Sequence, residues 1–286
     1  MKIAIYAPSW PPGSSANGIV TYAAQLVPAL RKLGHEVFVI TSNLTTTTPD
    51  AYTLDLNRIS ITRSILSRLK SRFRPEQGLF DASVERLLFA IRELKTRHDL
   101  DVLEIEESFG WSWKIAREEL IPLVVRLHGP WFLTGDNERA SEFASKGRIA
   151  LEGRGICAAN FVTAPSAAVL QEVRTFYKAE LNRSRVIPNP IEVGADPSWR
   201  LDACKANCIL YVGRFDQRKG GDIVLRAFGA LAGHYPDLRL SFVGPDRGIF
   251  EDGDLLSFDQ YVRKYLPASI RWNPISMMPC AMRWKN

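Results

Sequence analysis

The residues of this chain best suited to chemistry lie in Tyr211-Val-Gly-Arg-Phe-Asp-Gln-Arg-Lys-Gly-Gly-Asp222, where Arg214 and Lys219 stand between an apolar run and a Gly-Gly pair. Residues 209–212 read as a β-strand and Gly213 as the residue that lets the backbone turn. Gly220-Gly221 then opens a helix with Ile223, Val224, Ala227, Phe228 and Leu231 on one face. A guanidinium fork, an ammonium charge and the N–H groups of a helix start are the groups that grip phosphate, and together they suit a diphosphate. The plainer reading makes both cations solvated loop residues. His128 is a second candidate, because Leu127-His-Gly-Pro130 closes an apolar strand and doubly wound folds present ligands at the C-terminal ends of strands. An ordinary strand-end histidine is the alternative. Gly18 is a third: it follows Asn17 at a helix start, where a residue without a side chain lets backbone N–H groups approach an anion, unless it simply begins the helix.

Other chemistries lack their residues. No Gly-x-Ser-x-Gly, His-Glu-x-x-His or Gly-x-x-x-x-Gly-Lys-Ser/Thr occurs, which argues against nucleophile-elbow hydrolases, zinc proteases and P-loop enzymes. The first strand-to-helix turn has no Gly-x-Gly-x-x-Gly, so a dinucleotide enzyme is disfavoured. Cys157, Cys204, Cys208 and Cys280 show no paired metal-ligand spacing, so they read as reduced cytosolic thiols and no metal site is expected. Asp252-Gly-Asp254 and Asp99-Leu-Asp101 have the form of metal-binding carboxylate pairs without the strand context, and read as acids of surface turns.

A net charge of +6 on 286 residues suits nucleic acid, an anionic membrane surface or a phosphorylated substrate. The distribution separates these. Arg58, Arg63, Arg68, Lys70, Arg72 and Arg74 alternate with Ile59, Ile61, Ile65, Leu66, Leu69 and Phe73, and no acid falls between Asp55 and Glu76. Residues 58–74 therefore either lie on anionic lipid or form a surface helix packed on its own sheet. Nucleic acid is disfavoured, since aromatics do not interleave with these cations as a single-strand platform needs. No stretch approaches a transmembrane span, and residues 1–7 read as a first strand rather than a signal peptide.

Strand and helix patterns alternate along the chain, the signature of an α/β fold with a parallel sheet between helical layers. Expected strands are 2–7, 36–41, 101–105, 123–127, 161–164 and 185–187. Expected helices are 18–33, with a kink at Pro28, then 80–97, 111–119, a long stretch through 157, and 166–177. These make one complete doubly wound domain over residues 1–190. Pro188-Asn-Pro190 opens a turn-rich stretch, and the linker is placed at 191–206. A second, partial domain over 207–286 is expected to hold strands 208–212, 238–243 and 269–272 and helices 221–231 and 255–265. Residues 277–286 have no periodicity. So small a parallel sheet cannot cover both its faces.

The opening segment with Gly18, Leu127-His-Gly129, Thr163-Ala-Pro-Ser166, Val186-Ile-Pro-Asn-Pro190 and Gly213-Arg-Phe-Asp-Gln-Arg-Lys-Gly220 together resemble the GT-B glycosyltransferases of family 4, over nearly the whole chain to about Trp272. Gly-Arg-Phe-x-x-x-Lys-Gly is the specific element. The resemblance implies two Rossmann-like doubly wound domains, the first on the acceptor side and the second, here incomplete, binding the nucleotide-sugar. The implied reaction moves a sugar from a nucleotide-diphosphate sugar to an acceptor hydroxyl with retention and without a metal, in polysaccharide or glycolipid synthesis. By the same resemblance His128, Arg214 and Lys219 are the catalytic set, with His128 on the donor sugar. Gly18, Gly213, Arg214, Lys219 and Gly220 would hold the diphosphate. Donors aimed at a leaving diphosphate stabilise the transition state more than the ground state. The acceptor is a glycan, a lipid-linked or a small molecule, and the expected location is cytoplasmic, with peripheral membrane contact through 58–74. One departure stands out. Relatives carry Glu-x7-Glu in the second domain, whereas the pairs at that spacing here, Glu85 with Glu93 and Glu172 with Glu180, fall in the first. The alternative is therefore a truncated, non-catalytic remnant with weak or no donor binding.

Overall fold

In the computed structural model, residues 1–12, 17–46, 50–61, 75–135, 142–192, 200, 202, 204 and 206–266 are described, with side chains from 82 and from 145 in the helices that begin at 75 and 142. The chain divides into two compact units, Met1–Val193 and Gly194–Asn286.

The first unit is a seven-stranded parallel sheet. Its strands are β1 (Lys2–Ala7), β2 (Glu36–Thr41), β3 (Thr53–Asp55), β4 (Val102–Glu106), β5 (Leu123–Arg126), β6 (Phe161–Ala164) and β7 (Ser184–Val186). They lie in the order β3-β2-β1-β4-β5-β6-β7. Its helices are α1 (Gly18–Lys32), α2 (Pro75–His98), α3 (Trp111–Arg117), α4 (Trp131–Thr134), α5 (Glu142–Ala158) and α6 (Ala167–Tyr177). Successive strand residues bury toward opposite layers: Ala4 and Tyr6 join Phe38, Ile40, Leu103 and Ile105, while Ile5 and Ala7 join Val37, Val39 and the α1 residues Ala23 and Val27. Both faces are covered, which is why the strands read as apolar runs. Asn17 caps α1 through Ile19 N at 2.9 Å, and the helix runs on through Pro28.

Three features differ from expectation. The edge strand β3 is too short and polar, Thr-Leu-Asp, to show an apolar pattern. Helix α2 begins at Pro75 rather than 80. The long stretch expected through 157 is two helices, α4 and α5, and residues 136–141 between them lie outside the described residues.

The second unit holds the parallel pair β8 (Cys208–Val212) and β9 (Arg239–Val243), the hairpin β10 (Ile249–Glu251) with β11 (Asp254–Leu256), and helices α7 (Gly221–Ala232) and α8 (Phe258–Tyr265). Its core gathers Phe215, Leu225, Phe228, Phe242, Phe258 and Tyr261. Two expectations fail here. Residues 254–256 are strand, not helix, because Asp252 (φ +53°) and Gly253 (φ +90°) make a tight hairpin turn, and the Ser257 capping box then starts α8. The buried face of α7 carries Leu225 and Phe228, while Ile223 is 62% and Leu231 41% exposed. In β8, Ile209 and Tyr211 pack on the core, whereas Leu210 and Val212 are exposed, so one face of the pair stands open.

Strand 269–272, the tail 277–286, Cys280 and residues 62–74 of the basic segment lie outside the described residues. Arg58 ends a 3₁₀ turn and pairs with Asp55 at 3.6 Å. Among the described residues, no helix is long and apolar enough to cross a membrane.

Candidate functional site

In the first unit the strand order reverses between β1 and β4, and a doubly wound sheet opens its ligand crevice at the C-terminal ends of strands at such a point. Gly18 follows β1, Glu106 ends β4 with Glu107 just after it, and His128 follows β5. The buried Glu107 carboxyl accepts the backbone N–H of Gly129 at 2.7 Å and of His128 at 3.0 Å. Gly129, at φ +135°, has no room for a Cβ, which would lie 2.6 Å from Thr134 Cγ2. Thr134 Oγ1 donates to Gly129 O at 2.8 Å, closing the loop on itself.

The imidazole of His128 meets the Tyr22 ring edge-on at 4.9 Å. Tyr22 donates its hydroxyl proton to Glu104 Oε1 at 2.8 Å, and the Arg126 guanidinium lies 4.7 Å over the Tyr22 ring. Arg126 in turn donates to Asn189 Oδ1 at 2.7 Å. Burial, with the Arg126 charge adding to it, holds the His128 imidazole down to about 3. The ring is therefore neutral, offering one N–H and one lone pair to hydroxyl groups. Burial, reinforced by Glu106, pushes the Glu107 carboxyl up to about 8. Gly18 stands one turn before Tyr22, so α1 brings its own start and His128 to the same end of the sheet. A Cβ at Gly18 would meet nothing within 4 Å, so what this position offers is open space.

In the second unit, Gly213, Arg214, Lys219 and Gly220 share the loop from β8 to α7. Phe215 anchors that loop: it is fully buried, and its backbone pairs with Pro245 O at 2.9 Å and Arg247 N at 3.0 Å. Tyr211 donates its hydroxyl proton across the loop to Lys219 O at 2.8 Å. Asp216 accepts from Lys219 N at 2.8 Å and pairs with Arg214 Nε at 2.9 Å, so Arg214 has an internal partner. The Lys219 side chain is exposed, with no hydrogen bond to a described residue. Gly220 is left-handed at φ +71°, and a Cβ on Gly221 would lie 2.7 Å from the Phe215 ring. Gly213, read as the residue that lets the backbone turn, has no positive φ. The close approach is at Gly244 (φ +150°), where a Cβ would lie 1.9 Å from Gly213 O.

Glu85, Glu172 and Glu180 are exposed, and Glu93 pairs with Arg97 on its own helix at 2.7 Å. Asp101 accepts Lys2 N at 2.7 Å at the N-terminal end of the sheet, opposite His128. Among the described residues, no three His, Cys, Asp or Glu side chains gather to hold a metal. Glu104, Glu107 and Arg126 escaped the sequence reading. Their one signal was charge inside apolar strands, as in Val102-Leu-Glu-Ile-Glu-Glu107 and Leu123-Val-Val-Arg126.

Comparison with known proteins fits this geometry. Among solved structures, the sucrose-phosphate synthase of Thermosynechococcus elongatus is similar with a TM-score of 0.61 at 17% identity, over 95% of this chain and 70% of that one. WaaG, a glycosyltransferase involved in lipopolysaccharide biosynthesis, gives 0.54 at 14%, over 95% and 69%. HepE of Anabaena, solved in complex with UDP, gives 0.50 at 16%, over 93% and 63%. These likenesses establish the fold as GT-B, built from Rossmann-like units. No curated protein matches the sequence. The glycosyltransferase family 4 profile matches residues 16–194, which include Gly18, Glu107 and His128 and make up well over half of the chain. The chain belongs to glycosyltransferase family 4.

Proposed function

We propose that the protein transfers a sugar from a nucleoside diphosphate sugar to an acceptor hydroxyl with retention of configuration, in the synthesis of a polysaccharide or glycolipid. The observation that carries this reading is the loop from β8 to α7, which puts the exposed Lys219 and the Arg214 fork on one rigid turn held by Phe215 and Tyr211. Such a pair suits a diphosphate leaving group and compensates its charge without a metal. His128 is assigned to the donor sugar, since a neutral imidazole can hydrogen-bond a hydroxyl without placing a second cation beside the reacting carbon. Gly18 is assigned to the diphosphate, because the space above it admits an anion to the N–H groups of α1. The solved complex of HepE with UDP supports a nucleotide donor.

A cytoplasmic location with peripheral contact to anionic lipid through residues 58–74 belongs to the same proposal. It rests on six cations in that stretch without an acid. Salt-sensitive sedimentation with anionic liposomes tests it, and indifference to salt and lipid charge would remove it.

A second reading, a chain that holds donor weakly or not at all, is favoured by one observation, the Arg214–Asp216 ion pair. A thermal melt with millimolar UDP, GDP or ADP decides between them. A ligand that binds only the folded state raises Tm, so one nucleotide should lift the transition. A melt indifferent to all three favours the second reading.

A further inference from the structure

A cation on α5, Arg148, has no part in the reading above. The Cζ of Arg148, on α5, lies 4.0 Å from the Trp131 ring centre and 4.1 Å from that of Phe109. Its Nε donates to Glu152 Oε1 at 2.7 Å. Glu152 is fully buried, and the same carboxylate also accepts Trp131 N at 2.6 Å and Phe109 N at 3.2 Å. One buried group thus fixes all three members of the cluster. The four N–H groups on Nη1 and Nη2 of Arg148 have no hydrogen bond to a described residue, and neither nitrogen is among the buried unpaired atoms, so both meet solvent.

The cluster is built at a cost. Phe109 holds φ +59° and ψ −1° and is 45% exposed. A left-handed backbone in a non-glycine residue is strained and persists only where its surroundings fix it. Here Gly110 does so with the Glu152 bond, packing so closely on α5 that a Cβ would lie 2.3 Å from Leu151 C. The Trp131 Nε1 donor is buried without an acceptor. An ion pair that served only to satisfy Glu152 would need neither an exposed, left-handed phenylalanine nor two rings on one guanidinium. Rings that immobilise the fork lower the entropy lost when its outer edge closes on a planar or tetrahedral oxyanion. Phe109 lies two residues past Glu107 and Trp131 three past His128, so the cluster shares its loops with the candidate site.

We infer that Arg148, held by Phe109, Trp131 and Glu152, binds an oxyanion on the acceptor, a phosphate or a carboxylate, so that the sugar is transferred to an anionic molecule. The inference rests on the glycosyl-transfer reading for the word acceptor, though not for the anion site itself.

Isothermal titration of the full chain with glucose 6-phosphate, glucuronate and glucose tests it, alongside a separate titration with UDP, GDP and ADP. At least one of the two anionic sugars should bind at least tenfold more tightly than glucose, and comparing them tells phosphate from carboxylate. Arg148→Lys should lose at least tenfold of that preference while keeping its nucleotide affinity, because it retains the charge beside Glu152 and removes the fork. Arg148→Ala leaves Glu152 without its cation and is read only if its circular dichroism melt matches wild type. Equal binding of all three sugars, or an anion preference untouched in Arg148→Lys, would overturn the inference. Nucleotide binding without the anion preference sinks this site and leaves the glycosyl-transfer reading standing. The anion preference without nucleotide binding does the reverse.

Discussion

Both carboxyl oxygens of Glu107 lie within 3.1 Å of the backbone nitrogen of His128, so a residue just past one strand sets the position of a residue just past the next. Burial pushes that carboxyl up to about 8, with Glu106 adding to it, against an ordinary value of 4.5. Between these values the folded state binds the proton and the unfolded state does not. Stability from this group is therefore present below about 4.5 and is lost as pH rises through about 8. Urea melts of wild type and Glu107→Gln at pH 5, 7 and 9 should show the advantage of wild type shrinking as pH rises, by on the order of a few kcal/mol. A difference constant across that range would mean that the carboxyl stays in one ionisation state.

His128 has the opposite sign. Burial and Arg126 lower its imidazole to about 3, so between that value and 6.5 the unfolded chain takes up a proton the folded one refuses, and stability falls as pH drops through this window. Nitrogen-15 spectra of the folded protein at pH 5, assigned with His128→Ala, should show the neutral imidazole pattern for this ring. A cationic pattern at pH 5 would contradict the burial of the ring and the nearby Arg126 charge. In a transfer assay His128→Ala should lower the rate by about 100-fold or more, without removing an acidic limb from the pH profile.

How much of this was legible varied with the length of the signal. The strands of the first unit announce themselves because both faces are buried, so 2–7, 36–41 and 161–164 are mostly apolar runs whose ends match the structure. Thr53–Asp55 carries no such signal, since an edge strand of three residues buries little. The hairpin at 249–256 was readable from Asp252-Gly253 but is masked by the helix-like pattern that follows it. At the site, Arg214, Lys219 and His128 were visible as motif residues. Glu107, Glu152 and Arg148 were not: the partners of Glu107 lie 21 or more residues away, and although Arg148 and Glu152 are neighbours on α5, the backbone N–H groups and rings that complete their cluster come from Phe109 and Trp131 on other elements. Periodicity reports which face a residue occupies, not which distant backbone N–H it meets.

Asp216 ties together the two cations of the loop from β8 to α7. Its carboxylate caps Lys219 N and also pairs with Arg214, so it competes with any diphosphate for that guanidinium. Asp216→Asn keeps an oxygen for the cap and removes the charge. Nucleotide diphosphate affinity should hold or rise in Asp216→Asn, while Arg214→Ala and Lys219→Ala should each weaken it by about 1–3 kcal/mol. Calorimetry on the three variants checks this. Unchanged affinity in both alanine variants would take the diphosphate away from this loop.

Gly244 follows β9 and packs against Gly213, and its φ of +150° is one that residues with side chains rarely adopt. A Cβ there would sit 1.9 Å from Gly213 O and 3.3 Å from Arg214 N, both backbone atoms that cannot rotate away. Relief requires the β8 and β9 ends to separate, and the hydrogen bond from Gly213 N to Val243 O at 2.9 Å is the first to break. Gly244→Ala should therefore destabilise the second unit by on the order of 3 kcal/mol and displace Arg214 with it. Hydrogen exchange should show reduced protection confined to residues 206–266, with β1, β4 and β5 unchanged. A uniform decrease through both units would mean instead that they unfold together.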